Sequence, residues 1–304
     1  MYKKSFITLT VLFSSIFMLS SCTNWFASAP NTKVDGAVAG SDSKDITAFT
    51  VPSQIGATVI TNTNSTSGTI AITVPYNYDT LGVIATFTTT GSSVTVNGVA
   101  QVSGTTLNSF ASPLHYIVTA ADSTTKDYTV TLTHITYALR DTGPAGGFIF
   151  YINPNYLTDG WKYLEAAPTD QTTTTDWGCA GDPIPGSDGT AMGTGQQDTT
   201  AILTNCSTAN IAARLTSGDL YSNGFTDWFL PSQDELNKMY VNLRSGTDEH
   251  GLSYTPVAAF LTYYWSSSEY DDFTPWAWEQ NFDDGSQDFL DKSHLSGVHA
   301  VRSF

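Results

Sequence analysis

Between Glu269 and Asp283 the chain gathers carboxylates, an amide and large rings: Glu269, Tyr270, Asp271, Asp272, Trp276, Glu279, Asn281 and Asp283. Rings anchor a ligand by burying apolar area, and a few placed polar groups orient it, so this chemistry is recognition rather than bond breaking. In an extended strand Trp276, Trp278, Gln280 and Phe282 point one way, and Ala277, Glu279, Asn281 and Asp283 the other. The aromatic side reads as core. The polar side reads either as a ligand surface or as a solvated face. The acidic run at Glu269–Asp272 and the turn Asp283-Asp284-Gly285 also offer oxygens to Ca²⁺, which takes about six to eight of them. Asp284-Gly285 is equally an ordinary hairpin turn. No cofactor is expected, and Ca²⁺ is the one ion worth testing.

Catalytic templates find less support. Serines are frequent and His250, His294 and His299 are present, yet no Gly-x-Ser-x-Gly elbow occurs. Gly193-Thr194-Gly195 lacks the later glycine and lysine of a phosphate loop and reads as a turn. The expectation is a protein without catalytic residues. A hydrolase or modifying enzyme, or a structural envelope component, is the alternative.

Two kinds of text must position these residues. Residues 44–136 are all-β: Ile46 to Val51, Thr69 to Val74 and Asp127 to Leu132 alternate with period two and are rich in β-branched residues. Asn97-Gly98 supplies the positive φ angles of a tight hairpin. Short strands with turn signals between them predict a β-sandwich. From residue 137 to 304 the text becomes rich in Trp, Tyr, Gly and Asp and predicts an α+β domain. Strands are expected at Gly147–Ile152, Trp161–Ala166, Tyr263–Ser267, Pro275–Phe282 and Gly297–Phe304. One helix is expected over Asp198–Leu215, broken near Ser207. Another starts at Ser232, where Glu235 completes a capping box and Leu236, Met239, Tyr240 and Leu243 form one buried stripe.

Charge narrows the partners. Twelve Lys and Arg against 28 Asp and Glu give a formal net charge of −16, placed mostly after Asp141. Such a surface repels nucleic acid, heparin-like polymers and anionic headgroups.

The N-terminus carries Lys3 and Lys4, an apolar run from Phe6 to Leu19, and small residues leading to Cys22. This is the layout of a secretory signal, too short to span a bilayer comfortably. Leu19-Ser20-Ser21-Cys22 resembles the lipobox of bacterial lipoproteins, which implies removal of residues 1–21 and acylation of Cys22. Thr23 and Asn24, with no Asp after the cysteine, argue for the outer membrane, with the cell surface as the expected address and the leaflet left open. Residues 22–43 then read as a flexible tether. With Cys22 assigned to the anchor, Cys179 and Cys206 are left as a pair in an exported protein, and a disulfide is expected.

Residues His115 to Leu132 resemble the closing strand pair of small immunoglobulin-like repeats in bacterial surface lipoproteins, which implies a spacer. Further on, several phrases occur in order: Gly143-Pro144-Ala145-Gly146-Gly147-Phe148-Ile149-Phe150-Tyr151, Trp161 to Pro168, Gly193-Thr194-Gly195-Gln196, Asp227 to Leu236, Tyr264 to Glu269, and Val301-Arg302. Together they resemble the C-terminal domain of the bacterial collagen-like adhesin (Lcl) family. The resemblance implies a fold like C-type lectins and formylglycine-generating enzymes, and adhesion to a glycan or a host or matrix protein. The glycosaminoglycan ligand of the namesakes is not carried over, because Lys and Arg are scarce here and no Gly-X-Y repeat is present. The oligomeric state is left open.

Overall fold

The computed structural model describes residues 40–218, 220, 224–257, 259–270 and 275–304. Cys22, Asp271 and Asp272, with the signal and most of the tether, lie outside the described residues. The chain forms two compact units. One comprises residues up to 52, 58–71 and 81–131, and the other 53–57, 72–80 and 132–304.

The first unit is built of strands, as the alternation requires. In Ser67–Val74 the side chains of Ile70, Ile72 and Val74 are buried, while Thr69 and Ala71 face outward. A six-stranded sheet runs in the order Ile55–Asn62, Ser67–Val74, Thr125–His134, Leu114–Thr119, Ser93–Val96, Val99–Ala100. Ile46–Thr50 pairs with Thr86–Thr89, and Val83–Ile84 with Leu107–Asn108. The predicted Asn97-Gly98 hairpin is present, with φ of 50° and 77° and Val96 opposite Val99. Phe49, Phe87 and Tyr116 meet in the core, the Phe49–Tyr116 pair edge-on at 5.1 Å. Lys126 is buried along its stem, and its Nζ donates to Asp45 Oδ1 and Asn62 Oδ1, both at 2.8 Å.

The second unit is α+β, with two sheets. Phe148–Ile152, Tyr163–Ala166 and Val301–Ser303 form a three-stranded sheet in that order. Thr172–Thr175, Ser296–Val298, Tyr263–Glu269, Trp276–Asn281 and Gln287–Asp291 form a five-stranded one. The C-terminal segment, expected as one strand, is two. His299 breaks it, because its Nδ1 lies 2.7 Å from Asp170 Oδ1 and its Nε2 lies 3.0 Å from the Ala167 carbonyl. Thr172–Thr175 escapes the sequence reading, since its hydroxyls carry no apolar alternation.

The Gly143–Gly147 phrase has a packing reason. The buried Glu165 carboxylate accepts from the backbone N–H groups of Ala145 (3.0 Å) and Gly147 (2.9 Å) and from Arg302 Nη1 (3.1 Å). A Cβ on Gly143 would sit 2.4 Å from the Glu165 carboxyl carbon, and one on Gly147 would sit 1.8 Å from the Ala166 carbonyl oxygen. Arg302 also pairs with Asp227 at 2.8 Å, joining the chain's last strand to the phrase that precedes Pro231.

Helices occupy Gly195–Asn205, Ala212–Leu215 and Gln233–Met239. The capping box at Ser232 and Glu235 is formed in both directions. Of the predicted stripe, Leu236, Met239 and Leu243 are fully buried and Tyr240 is half-buried. Past Met239 the helix loosens into a π-helical turn over Tyr240–Arg244, which the sequence pattern does not announce. Cys179 and Cys206 are disulfide-bonded, closing the loop that leads into the Gly195–Asn205 helix.

Candidate functional site

The strand Trp276–Asn281 is where the predicted site residues converge. It pairs with Tyr263–Glu269 on one side and Gln287–Asp291 on the other. In an antiparallel pair, directly opposed residues share a face. Trp276, Trp278 and Gln280 therefore share theirs with Asp291, Phe289 and Gln287, while Ala277 and Glu279 share theirs with Leu290 and Asp288.

The aromatic face is not core along its whole length, which corrects the sequence reading. Gln280 and Phe282 are buried, but Trp276 and Trp278 are only half-buried. The reason is coverage: the Gln233–Met239 helix lies over the far end of the strand, where Gln280 Nε2 donates to Asn237 Oδ1 at 2.9 Å. At the near end the rings contact one another. Tyr270 stacks on Phe289 at 4.3 Å, Phe289 stacks on Trp276 at 5.1 Å, and Trp278 meets Tyr270 at 5.5 Å and Phe289 edge-on at 5.6 Å. Amides flank this quartet. Gln287 Nε2 donates to the Gln233 carbonyl at 3.0 Å. Tyr270 also lines a cavity of about 160 Å³ with Pro183, Ile184, Pro185, Gly186, Asp188 and Glu269.

Glu269, expected as a ligand contact, is held by the fold. It is 7% exposed, pairs with the buried Lys292, and accepts from Ile184 N (2.9 Å) and Ser187 Oγ (3.1 Å). Lys292 in turn sits 4.7 Å from the Trp177 ring, and burial pulls its pKa below the usual lysine range.

The polar face opens at the other end of the strand. Tyr263, Glu279, Asn281, Ser286, Asp288, Leu290 and His294 line a cleft of about 380 Å³. Glu279 lies at its floor, 4% exposed, with Oε2 accepting from Ser296 Oγ at 2.5 Å. Burial raises its pKa, against the opposing pull of the Ser296 hydrogen bond and of His294. Asp283, the last predicted contact, is exposed and lies 3.5 Å from Arg244.

The structure thus divides the predicted set. Tyr270 and Trp276 belong to the ring quartet, Glu279 and Asn281 to the cleft on the opposite face, and Glu269 and Asp283 to ion pairs. Trp278, Phe289, Asp188 and the cleft residues Tyr263, Asp288 and His294 were not picked out from sequence. Phe289 was legible in principle: Asp284-Gly285 falls in the turn of a hairpin, with φ of 80° at Gly285, and period-two counting across it puts Phe289 on the face of Trp278, which it opposes in the observed register. Among the described residues, no group of three or more His, Cys, Asp or Glu side chains is arranged to hold a metal ion.

Comparison with known families now places the two units. Residues 167–302 match the Lcl C-terminal domain, and residues 46–132 match the family described as SGBP, N-terminal. The chain therefore has an Lcl-like C-terminal domain after an N-terminal module. No curated protein matches. Among solved structures, a candidate glycoside hydrolase from Bacteroides thetaiotaomicron is 23% identical over 49% of this chain and 45% of its own, with a TM-score of 0.24. This chain thus spans less than half of that protein. A candidate secreted protein from Bacteroides fragilis is 17% identical over 31% of this chain and 98% of its own, also with a TM-score of 0.24.

Proposed function

We propose that this chain is a lipid-anchored surface protein whose C-terminal head binds glycan without chemical turnover, using the Tyr270–Trp276–Trp278–Phe289 quartet as its contact. The two matched modules support surface glycan binding, the first being of the surface glycan-binding protein type. The observation that carries the site is the half-buried ring cluster at the end of the strand away from the Gln233–Met239 helix, with Gln287 on the same face. Aromatic faces offer apolar area at low entropy cost, which suits the C–H faces of sugar rings, and neighbouring amides can exchange hydrogen bonds with hydroxyls. The lipobox-like Leu19–Cys22 supports anchoring in the outer membrane, with residues 22–43 as tether. A single acyl chain holds a protein only marginally, so stable anchoring calls for the two or more chains of a lipoprotein N-terminus.

The test is a glycan array with the mature chain, run with and without Ca²⁺, beside a Trp276→Ala/Trp278→Ala variant. We expect the variant to lose at least about tenfold in affinity, the order of one anchor residue. Its thermal melt should stay cooperative. A folded double variant that binds like the parent would refute the quartet as the contact.

A further inference from the structure

We infer that the cleft on the opposite face of the same strand is a second binding site, selective for saccharides that carry a free amino group. Buried carboxylates in this unit generally have a cation: Glu165 has Arg302, Glu269 has Lys292, and Asp248 has Arg140. Asp198 and Glu235 lack one, but their oxygens are taken up by backbone N–H groups and hydroxyls. Glu279 differs from all of these. It is more than nine-tenths buried and lines an open cleft, and the basic group beside it, His294, shares the cleft without forming an ion pair with it. Ser296 occupies Oε2, while Oε1 receives no hydrogen bond from any described group. Asp288 faces the same space from the neighbouring strand, directly opposite Glu279.

The free oxygen faces an open cleft, where a ligand that brings charge and donors can complement it. An ammonium group does so with charge and three donors. The remaining lining fits a sugar rather than a bare amine: Tyr263 and Leu290 offer apolar area, and Asn281, Ser286 and the neutral imidazole of His294 offer partners for hydroxyls, so the titrations are run at pH 8. The volume of about 380 Å³ falls at the lower end of small-ligand sites, enough for one or two sugar rings. The same carboxylates repel uronate and sulfate.

This inference rests on the glycan-binding reading, but it concerns a different face and different residues. The decisive comparison uses glucosamine oligosaccharides, their N-acetylated counterparts of equal length, and oligolysine. Each is titrated calorimetrically into the mature chain and its Glu279→Gln variant. The free-amine series should bind at least about tenfold more tightly than the acetylated one, the scale of one charge-assisted contact. Glu279→Gln, which keeps an oxygen to accept from Ser296, should erase that preference while its melt shows a folded protein. Equal affinity for the two series overturns the inference and leaves the glycan reading intact, as does an amine preference that survives in Glu279→Gln. Oligolysine binding as tightly as the amino-sugar series also overturns it, in favour of a basic peptide. Absence of binding by either saccharide series overturns the inference alone, since the glycan reading is decided by the array and the quartet variant.

Discussion

Asp198 should make the head more stable in mild acid than in mild alkali, the direction that relief of its net negative charge also favours. Its carboxylate is 1% exposed, accepts from Ser267 Oγ at 3.2 Å, and lies in the field of Glu235, which is fully buried. Burial pushes both carboxyls up to about 7. A carboxyl titrating higher in the folded than in the unfolded chain favours folding when protonated. Its contribution is full below the unfolded value near 4 and fades as pH rises through about 7. At about 1.4 kcal/mol for each pH unit between folded and unfolded titration, ionised Asp198 costs on the order of 4 kcal/mol by pH 8. Other carboxylates, such as Glu165 with Arg302, respond to pH in their own ways, so the informative quantity is a difference. Asp198→Asn removes the charge and keeps the shape, and the hydroxyls of Ser267 and Thr194 can reverse to accept from the new amide. Urea denaturation of both proteins at pH 5 and pH 8 should show the variant gaining on the parent by about 2–3 kcal/mol between the two, the part of that penalty that falls in this window. A gap that does not change with pH would refute the reasoning.

Three further outcomes follow from the same physics. Replacing Cys179 and Cys206 by serine should lower stability by roughly 3–4 kcal/mol, read from the denaturation midpoint, because the loop they close regains its unfolded entropy. Gly147→Ala should disrupt the head far more than an exposed substitution would, since the added Cβ meets backbone, and soluble yield with near-ultraviolet circular dichroism will show it. Cys22→Ala should leave the protein in the medium or periplasm rather than in the detergent phase, and mass spectrometry of the parent should find an acylated N-terminal cysteine.

Much of the architecture was legible because local rules and global packing agree. The alternation of Thr69 to Val74, the Asn97-Gly98 turn and the Ser232–Glu235 capping box each specify one local geometry, and each is observed. The disulfide followed from counting cysteines. What escaped depends on coverage by distant segments. Trp276 and Trp278 alternate with Ala277 and Glu279 as a core strand should, and nothing nearby in sequence reveals that the helix over that face stops at Gln280. Glu269 looked available because its partner Lys292 is far along the chain, and a buried ion pair leaves no spacing to read. His299 splits the last strand for a similar reason, through Asp170.

Because the quartet and the cleft hang from alternate residues of one strand, neither can be altered in register without the other. Removing or adding a single residue before Trp276 would turn the rings toward Ser296 and aim the carboxylate at the helix, exchanging both surfaces at once. Point substitution, by contrast, reaches each surface separately. The head can therefore vary what either side recognises, but only by changing side chains in place. Changes in length should collect in the turn around Asp284-Gly285, or beyond the strand's ends.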